Sequence, residues 1–312
     1  MSKQSTKVKL NASRKKELRF ALAMVALPMI QFVIFWGYVS FDSILMAFKD
    51  GMGNWTLIHF ENFIKDYQKG LIATCIKNSL INLAVSELIT LPLVVTLSYF
   101  LFKKCYGASV FRVLFFLPSL ISAVVMAYLF SSLVTPVGDN PGVVIDLAQK
   151  LGINVGDKIL KYGLLGTENT AFATIEVYCV WTGVGTNLVL LCGGLSRAPM
   201  DLFEAAKIDG AGMWREFTKI VIPILWPTIT TLFIFNLAGC FTMYLPVMLL
   251  AENNEDTLTI GYFIVKRTAE ANGNSKILGY PAAVGLIFTA ITVPIILFVK
   301  WSFNKMSEAL EF

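Results

Sequence analysis

The sequence predicts an all-α integral membrane protein of six spans, and three observations carry that prediction. Of 312 residues, 56% are hydrophobic and 15% charged, with a mean hydropathy of +0.66; soluble domains carry about 25% charged residues. Six apolar runs reach the roughly 20 residues that a helix needs to cross a bilayer core. Lys and Arg collect in alternate loops between those runs. Length alone would allow roughly two soluble domains, but this composition argues for a single membrane domain, residues 20–301.

Residues 1–19 form a basic tail in which Lys3, Lys7, Lys9, Arg14, Lys15, Lys16 and Arg19 face Glu17 alone. The first apolar run, 20–41, exceeds the roughly 7–15 residue core of a secretory signal, so it reads as a retained span. The other spans are expected at about residues 74–102, 113–133, 171–195, 222–250 and 282–301, with a short tail at 302–312. Pro28, Pro92, Pro118, Pro223, Pro227, Pro246 and Pro294 fall in or at the ends of these runs. Neighbouring helices can satisfy the carbonyls that such prolines free. In the loop 134–170, Asn140-Pro141-Gly142 predicts a turn, and Val143–Leu151 a short amphipathic helix. Trp36, Tyr38, Trp55, Tyr67, Tyr128 and Trp301 read as interfacial anchors.

Orientation follows from the cations. The basic tail, Lys103, Lys104 and Arg112, then Arg197, Lys207, Arg215 and Lys219, then Lys300 and Lys305, lie on one side. On the opposite loops acids outnumber bases. The basic side, with both termini, is expected in the cytoplasm.

Catalytic chemistry is sparse. The chain has no G-x-x-x-x-G-K-[ST] loop, so it lacks a phosphate cradle of that type. One histidine, His59, argues against a multi-His metal site or a Ser-His-Asp triad and is expected at an ordinary surface position. Cys75, Cys105, Cys179, Cys192 and Cys240 contain no C-x-x-C pair and read as free thiols. Glu87 and Glu176 fall within spans. Each is expensive there, and either a structural hydrogen bond or a place on a solute path would account for it.

The cytoplasmic loop 196–221 is the most specific segment. Pro199 suits the first turn of a helix, helix formers follow through Ile208, and Gly210 fits a left-handed stop. Residues 199–209 therefore read as a short helix. Ala205 and Ala206 keep one face slim, and Glu204 offers a carboxylate to a partner. Trp214, Phe217 and Ile220 lead amphipathically into Pro223 and the fifth span.

Glu204-Ala205-Ala206, three residues, Gly210, nine residues, Ile220-Val221-Ile222-Pro223 resembles the EAA loop of importer-type ABC permeases, with Ile222 in place of the usual Leu. Asn78-Ser79-Leu80, Phe111 to Pro118, Trp181 to Asn187 and Leu195 to Pro199 resemble the carbohydrate-importing group. The loop carrying Asn140-Pro141-Gly142 is similar to that of larger maltose-type permeases, without their extra spans or very large outer domain. The resemblance covers the chain from about residue 20 onward. It implies a six-helix ABC importer permease bundle of the bacterial cytoplasmic membrane, with a cytoplasmic EAA coupling helix. Glu204, Ala205, Ala206, Asp209, Gly210, Ile220 and Pro223 would couple it to an ATPase. It also implies a second, homologous permease, two ATP-binding subunits that hold ATP and Mg, and an extracytoplasmic solute-binding protein. No cofactor, metal or nucleic acid is expected on this chain, and it is not expected to be an enzyme.

Helical spacing places Asn236, Cys240, Met243 and Tyr244 on one face, and Cys179, Thr182, Gly183 and Thr186 on another. The corresponding regions contribute to the sugar path in related permeases. Hydroxyl partners would come from Asn236, Thr182 and Thr186, and an aromatic plane from Tyr244, Tyr178 or Trp181. Packing by small and polar residues is the competing reading. The expected function is solute import, of a sugar or oligosaccharide, with glycerol phosphate as the nearest alternative. An ion-coupled secondary transporter using Glu87 and Glu176 is the rival from another class.

Overall fold

A computed structural model describes residues 12–136, 141–251, 254–271 and 275–310. Nearly all of them are helical; the β-type pairing among the described residues is a single bridge, Lys49 to Trp55. Five helices are long and apolar enough to cross a membrane, and a sixth crossing exists if one bent pair counts as a span.

The first helix outruns its apolar stretch at both ends. α1 (Ala12–Gln31) passes through a π-helical segment, Phe32–Tyr38, into α2 (Val39–Ala47). The end of the expected tail is thus helical, while residues 1–11, with Lys3, Lys7 and Lys9, lie outside the described residues. After α3 (Ile58–Gln68), the second span is α4 (Leu71–Val85), a π-helical segment at Ser86–Thr90, and α5 (Leu91–Phe102). Apolar surroundings leave hydroxyls to bond their own helix: Thr96 donates to the Pro92 carbonyl, and Thr231 to that of Pro227, each at 2.8 Å.

The third expected span, 113–133, is not one helix. α6 (Ala108–Leu120) and α7 (Ala123–Val134) meet at 108°, because Ile121 and Ser122 adopt extended backbone. α7 is thereby turned so that Met126, Phe130 and Val134 enter the core. α8 (Val143–Lys150) is the expected amphipathic helix, and α9 (Asp157–Tyr162) follows it. Asn140 of the turn lies outside the described residues, while Gly142 has φ +89°. α10 (Glu168–Leu195) forms the fourth span. Gly185 lets it approach α6, since a Cβ there would stand 2.7 Å from the Phe115 carbonyl and the Ser119 hydroxyl.

Next come α11 (Met200–Ile208) and α12 (Met213–Glu216), which continues through a π-helical segment, Phe217–Val221, into α13 (Ile222–Gly239). The fifth span therefore runs from Met213 to Gly239, not from 222 to 250. Pro246 has no N–H to bond the Thr242 carbonyl in a continued helix, and the neighbouring Met243 carbonyl accepts from the Thr259 hydroxyl at 2.7 Å. α14 (Leu245–Leu250) is a separate short helix, and α15 (Ile260–Glu270) carries in its first turn Gly261, whose missing Cβ leaves room for the Met243 carbonyl. α16 (Ser275–Leu310) contains the sixth span and most of the expected tail. Phe303 packs edge-on against Trp226 and Phe233 of α13 at 5.6 and 5.1 Å; residues 311–312 lie outside the described residues.

Two apolar cores hold the bundle. One joins Ile72, Phe130, Ile175, Tyr178, Val247, Phe263 and Phe288 at the end far from the basic loops. The other joins Val94, Tyr99, Leu188, Leu191, Phe203, Val221 and Leu225 toward the basic end. Along α4 and its π-helical segment, the stretch between them carries Asn78, Ser79, Asn82 and Glu87.

Candidate functional site

Two features at different levels of the bundle are candidates for function. At the basic end, α11 stands as a short helical knob. Pro199 is its N-cap, one residue outside the expected first turn. Gly210 ends it at φ +72°, with Ala211 N–H donating to the Ala206 carbonyl at 2.9 Å and Gly210 N–H to that of Lys207 at 3.2 Å. Those two bonds are the Schellman stop that the glycine anticipates. Phe203 is the anchor: it is buried, 5.1 Å from the Phe102 ring. Glu204, Ala205, Asp209 and Gly210 are exposed, Ala206 is half-buried, and Ile208 is 86% exposed. Ile220 and Pro223 are not part of that surface. They sit at the base of the fifth span, where Ile220 packs against the core at the basic end.

A partly buried ion pair fixes the knob's root. Lys103 Nζ lies 2.6 and 2.8 Å from the two carboxylate oxygens of Glu216, and also stands over the rings of Tyr99 and Phe203. Nothing local signals this pair, whose partners are 113 residues apart. The side chain of Glu216 is 8% exposed and that of Lys103 41%. Breaking a fully buried pair costs about 3–5 kcal/mol; screening at Lys103 reduces this to roughly 2 kcal/mol. Lys103→Met should therefore lower the thermal midpoint of the purified permease, and Glu216→Gln in the same background should recover part of the loss. An additive double variant would show that the pair contributes nothing.

The second feature is a cavity of about 1030 Å³ between the second and fourth spans. Trp181, Phe172 and Phe115 give it aromatic walls, and Asn78, Lys77, Glu168, Asn169, Glu176 and Asp256 give it polar groups. Glu176 lines the cavity with only 5% of its surface exposed. Asn82 Nδ2 donates to both its carboxylate oxygens at 3.1 Å. Glu87 lies in the π-helical segment of the second span near Asn236, and its oxygens have no partner within hydrogen-bonding geometry among the described residues. His59, expected at the surface, is buried with Nε2 3.0 Å from the Lys49 carbonyl.

The eight expected path residues do not converge on this cavity. Tyr178 is a core residue whose ring lies 5.2 Å from that of Phe130, tilted at 55°. Thr182 returns its hydroxyl to the Tyr178 carbonyl at 2.9 Å. Gly183 faces Thr90, and Thr186 is exposed. Because α13 stops at Gly239, Asn236 is helical, whereas Met243 and Tyr244 lie in the break beyond it, so the four do not share one helical face. Cys240 is buried and donates to the Ser79 carbonyl at 3.3 Å. The cavity uses another face of α10, running through Glu176, Val177, Val180, Trp181 and Val184. Its one advance signal was a carboxylate in an apolar run.

A polytopic helical bundle with a wide cavity in its membrane zone, largely apolar and carrying a few polar groups, has the architecture of a membrane permease. The chain belongs to the family of binding-protein-dependent transport system inner membrane components, whose model matches residues 89–308. It is thus the membrane permease component of a binding-protein-dependent transporter. Similar proteins include the diacetylchitobiose uptake system permease NgcF of Streptomyces coelicolor, 25% identical, with 88% of this chain and 79% of that one covered. The multiple sugar-binding transport system permease MsmF of Streptococcus mutans is 26% identical, with 88% and 92% covered. In fold, the chain is similar to a bacterial ABC transporter involved in import of the acidic polysaccharide alginate. The TM-score is 0.77 at 22% identity, over 95% of this chain and 98% of that one. A second structure of an alginate transporter, in complex with an alginate pentasaccharide-bound periplasmic protein, matches at TM-score 0.76.

Proposed function

We propose that this chain is the permease subunit of an ATP-driven importer of a sugar or oligosaccharide, receiving solute from an extracytoplasmic binding protein. The observation that carries this reading is the family match across residues 89–308, on a chain whose similar relatives are sugar-uptake permeases. The basic end faces the cytoplasm, with both termini, as the distribution of Lys and Arg supports. There α11 seats in a groove of a separate ATPase, presenting Glu204, Ala205, Ala206, Asp209 and Gly210, while Ile220 and Pro223 join the knob to the fifth span. ATP and Mg are held by two such subunits, and the chemistry of hydrolysis is theirs. A second permease completes the path; the exposed apolar surface of α1 from Phe20 to Ile30 supports such a partner in addition to lipid.

The solute path follows α10, where Trp181 offers a plane for a sugar's C–H face, and the cavity's amides and carboxylates offer hydroxyl partners. Thr186, Asn236 and Tyr244 extend it. Tyr178, Thr182, Gly183, Cys240 and Met243 support it through packing and close helix approach. Reconstitution of the permease with its ATPase and binding protein in proteoliposomes tests the whole reading. Sugar uptake should require ATP on the ATPase side and binding protein on the other, and should survive collapse of ion gradients. Uptake driven by an ion gradient without the ATPase would overturn it.

A further inference from the structure

At the basic end a cavity of about 470 Å³ opens between the end of α5, the start of α6, α10 and the root of α11. Lys104 and Arg112 line it, and no carboxylate does. Neither cation has an ion-pair partner among the described residues, whereas Lys103 is engaged by Glu216. The remaining walls are largely apolar, with Phe102, Phe203 and Met200.

Lys104 carries a second sign. It is the one non-glycine residue with positive φ among the described residues, at +51°. It closes α5 in a Schellman-like turn, its N–H donating to the Leu101 carbonyl at 3.2 Å and that of Cys105 to Phe100 at 3.4 Å. Glycine takes this position freely, and lysine is strained in it. Strain kept at one residue points to a use for its side chain.

The candidate span Leu71–Phe102 ends immediately before Lys103, so the cations stand at the edge of the apolar zone. Beside them Val113 and Leu117 of α6 and Val189 of α10 are exposed apolar residues. An amphiphile can lay its chains there; a soluble anion has no use for that surface.

We propose that this cavity binds the phosphate headgroup of an anionic phospholipid of the inner leaflet, with its acyl chains along α6 and α10. The assignment to the inner leaflet rests on the orientation proposed above. Lys104 and Arg112 take the phosphodiester oxygens through charge-assisted hydrogen bonds. Because Met200 begins α11, the bound lipid braces the root of the knob.

The test is native mass spectrometry of the full chain in detergent, titrated with phosphatidylglycerol or phosphatidylcholine. Wild type should prefer phosphatidylglycerol. The double variant Lys104→Gln/Arg112→Gln should bind it roughly 30-fold more weakly, as expected for two surface cations. Lys65→Gln/Lys69→Gln, on the far end, should change nothing. Equal binding by wild type and the Lys104/Arg112 variant overturns the site, as does equal loss in the far-end control. Displacement of the lipid by millimolar inorganic phosphate would reassign the site to a free anion. Cross-linking of a Tyr106→Cys variant, at a fully exposed position beside the site, to the ATPase, with no lipid preference, would reassign it to a protein contact. Labelling of that cysteine by an impermeant outside reagent, with lipid preference intact, would overturn the orientation and leave the site standing.

Discussion

Gly210→Val and Ala206→Trp should each leave the permease inserted in the membrane and reduce ATP-driven uptake at least about tenfold. Both residues lie outside the hydrocarbon zone, on a knob held by Phe203 and by the Lys103–Glu216 pair rather than by its exposed face. At Gly210 a Cβ would meet open space among the described residues, so the effect of valine is not a clash. It comes from φ +72°, where a β-branched residue costs on the order of 1–3 kcal/mol. The Schellman bonds to Ala206 and Lys207 break, and α11 loses its defined end. Ala206→Trp acts differently, by placing a large ring where two surfaces need to meet closely. Gly210→Asn is the control, because asparagine tolerates left-handed backbone and should retain most uptake. Insertion, ATPase co-purification, stimulated hydrolysis and uptake should be measured on the same samples. If both variants keep wild-type values in all four, α11 is not the coupling element.

Asn78→Leu should destabilise the bundle more than any conservative change on its far side. Asn78 is 4% exposed, and its Nδ2 donates to the carbonyls of Asp256 and Leu258 at 2.7 and 2.9 Å. Ser79 adds a third tie, accepting from Ile260 N–H at 3.1 Å. Leucine has nearly the same size but takes the amide donor from the buried Leu258 carbonyl, at about 1–3 kcal/mol, and from the part-buried Asp256 carbonyl, at less. The segment between α14 and α15 then loses its hold on the second span. A fall of about 5–10 °C in the thermal midpoint is expected, scaling from helical domains of similar length. Ser79→Ala, which removes one acceptor, should cost less. Equal midpoints for wild type and Asn78→Leu would mean that water replaces the amide.

Much of the loop 196–221 was legible because its signals are local. The stop at Gly210 depends only on the turn before it, so its positive φ could be expected from the residue type and the helix formers ahead of it. The fourth span could be read closely, with α10 beginning three residues before the expected start and ending at the expected Leu195. The third and fifth spans could not. Apolar composition measures how long a segment can stay in lipid, and it does not register a 108° bend at Ile121–Ser122 or a stop at Gly239. Pro246 was a visible warning, but prolines inside membrane helices are tolerated often enough that it did not discriminate.

By itself, the sequence determined a helical membrane protein with one basic end and a glycine-stopped knob there, because bilayer length, cation placement and left-handed backbone are properties of residues near one another in the chain. Only the tertiary structure decided which polar groups meet. Glu176 finds Asn82 from 94 residues away, Asn78 reaches the Leu258 carbonyl across 180, and Lys103 finds Glu216 across 113. It also decided which face of α10 lines the cavity. The reason is physical: in an apolar interior a polar group must take whatever partner the packing brings within about 3 Å. That partner is set by how the helices cross and where they break, and neither is written in the spacing of any one helix.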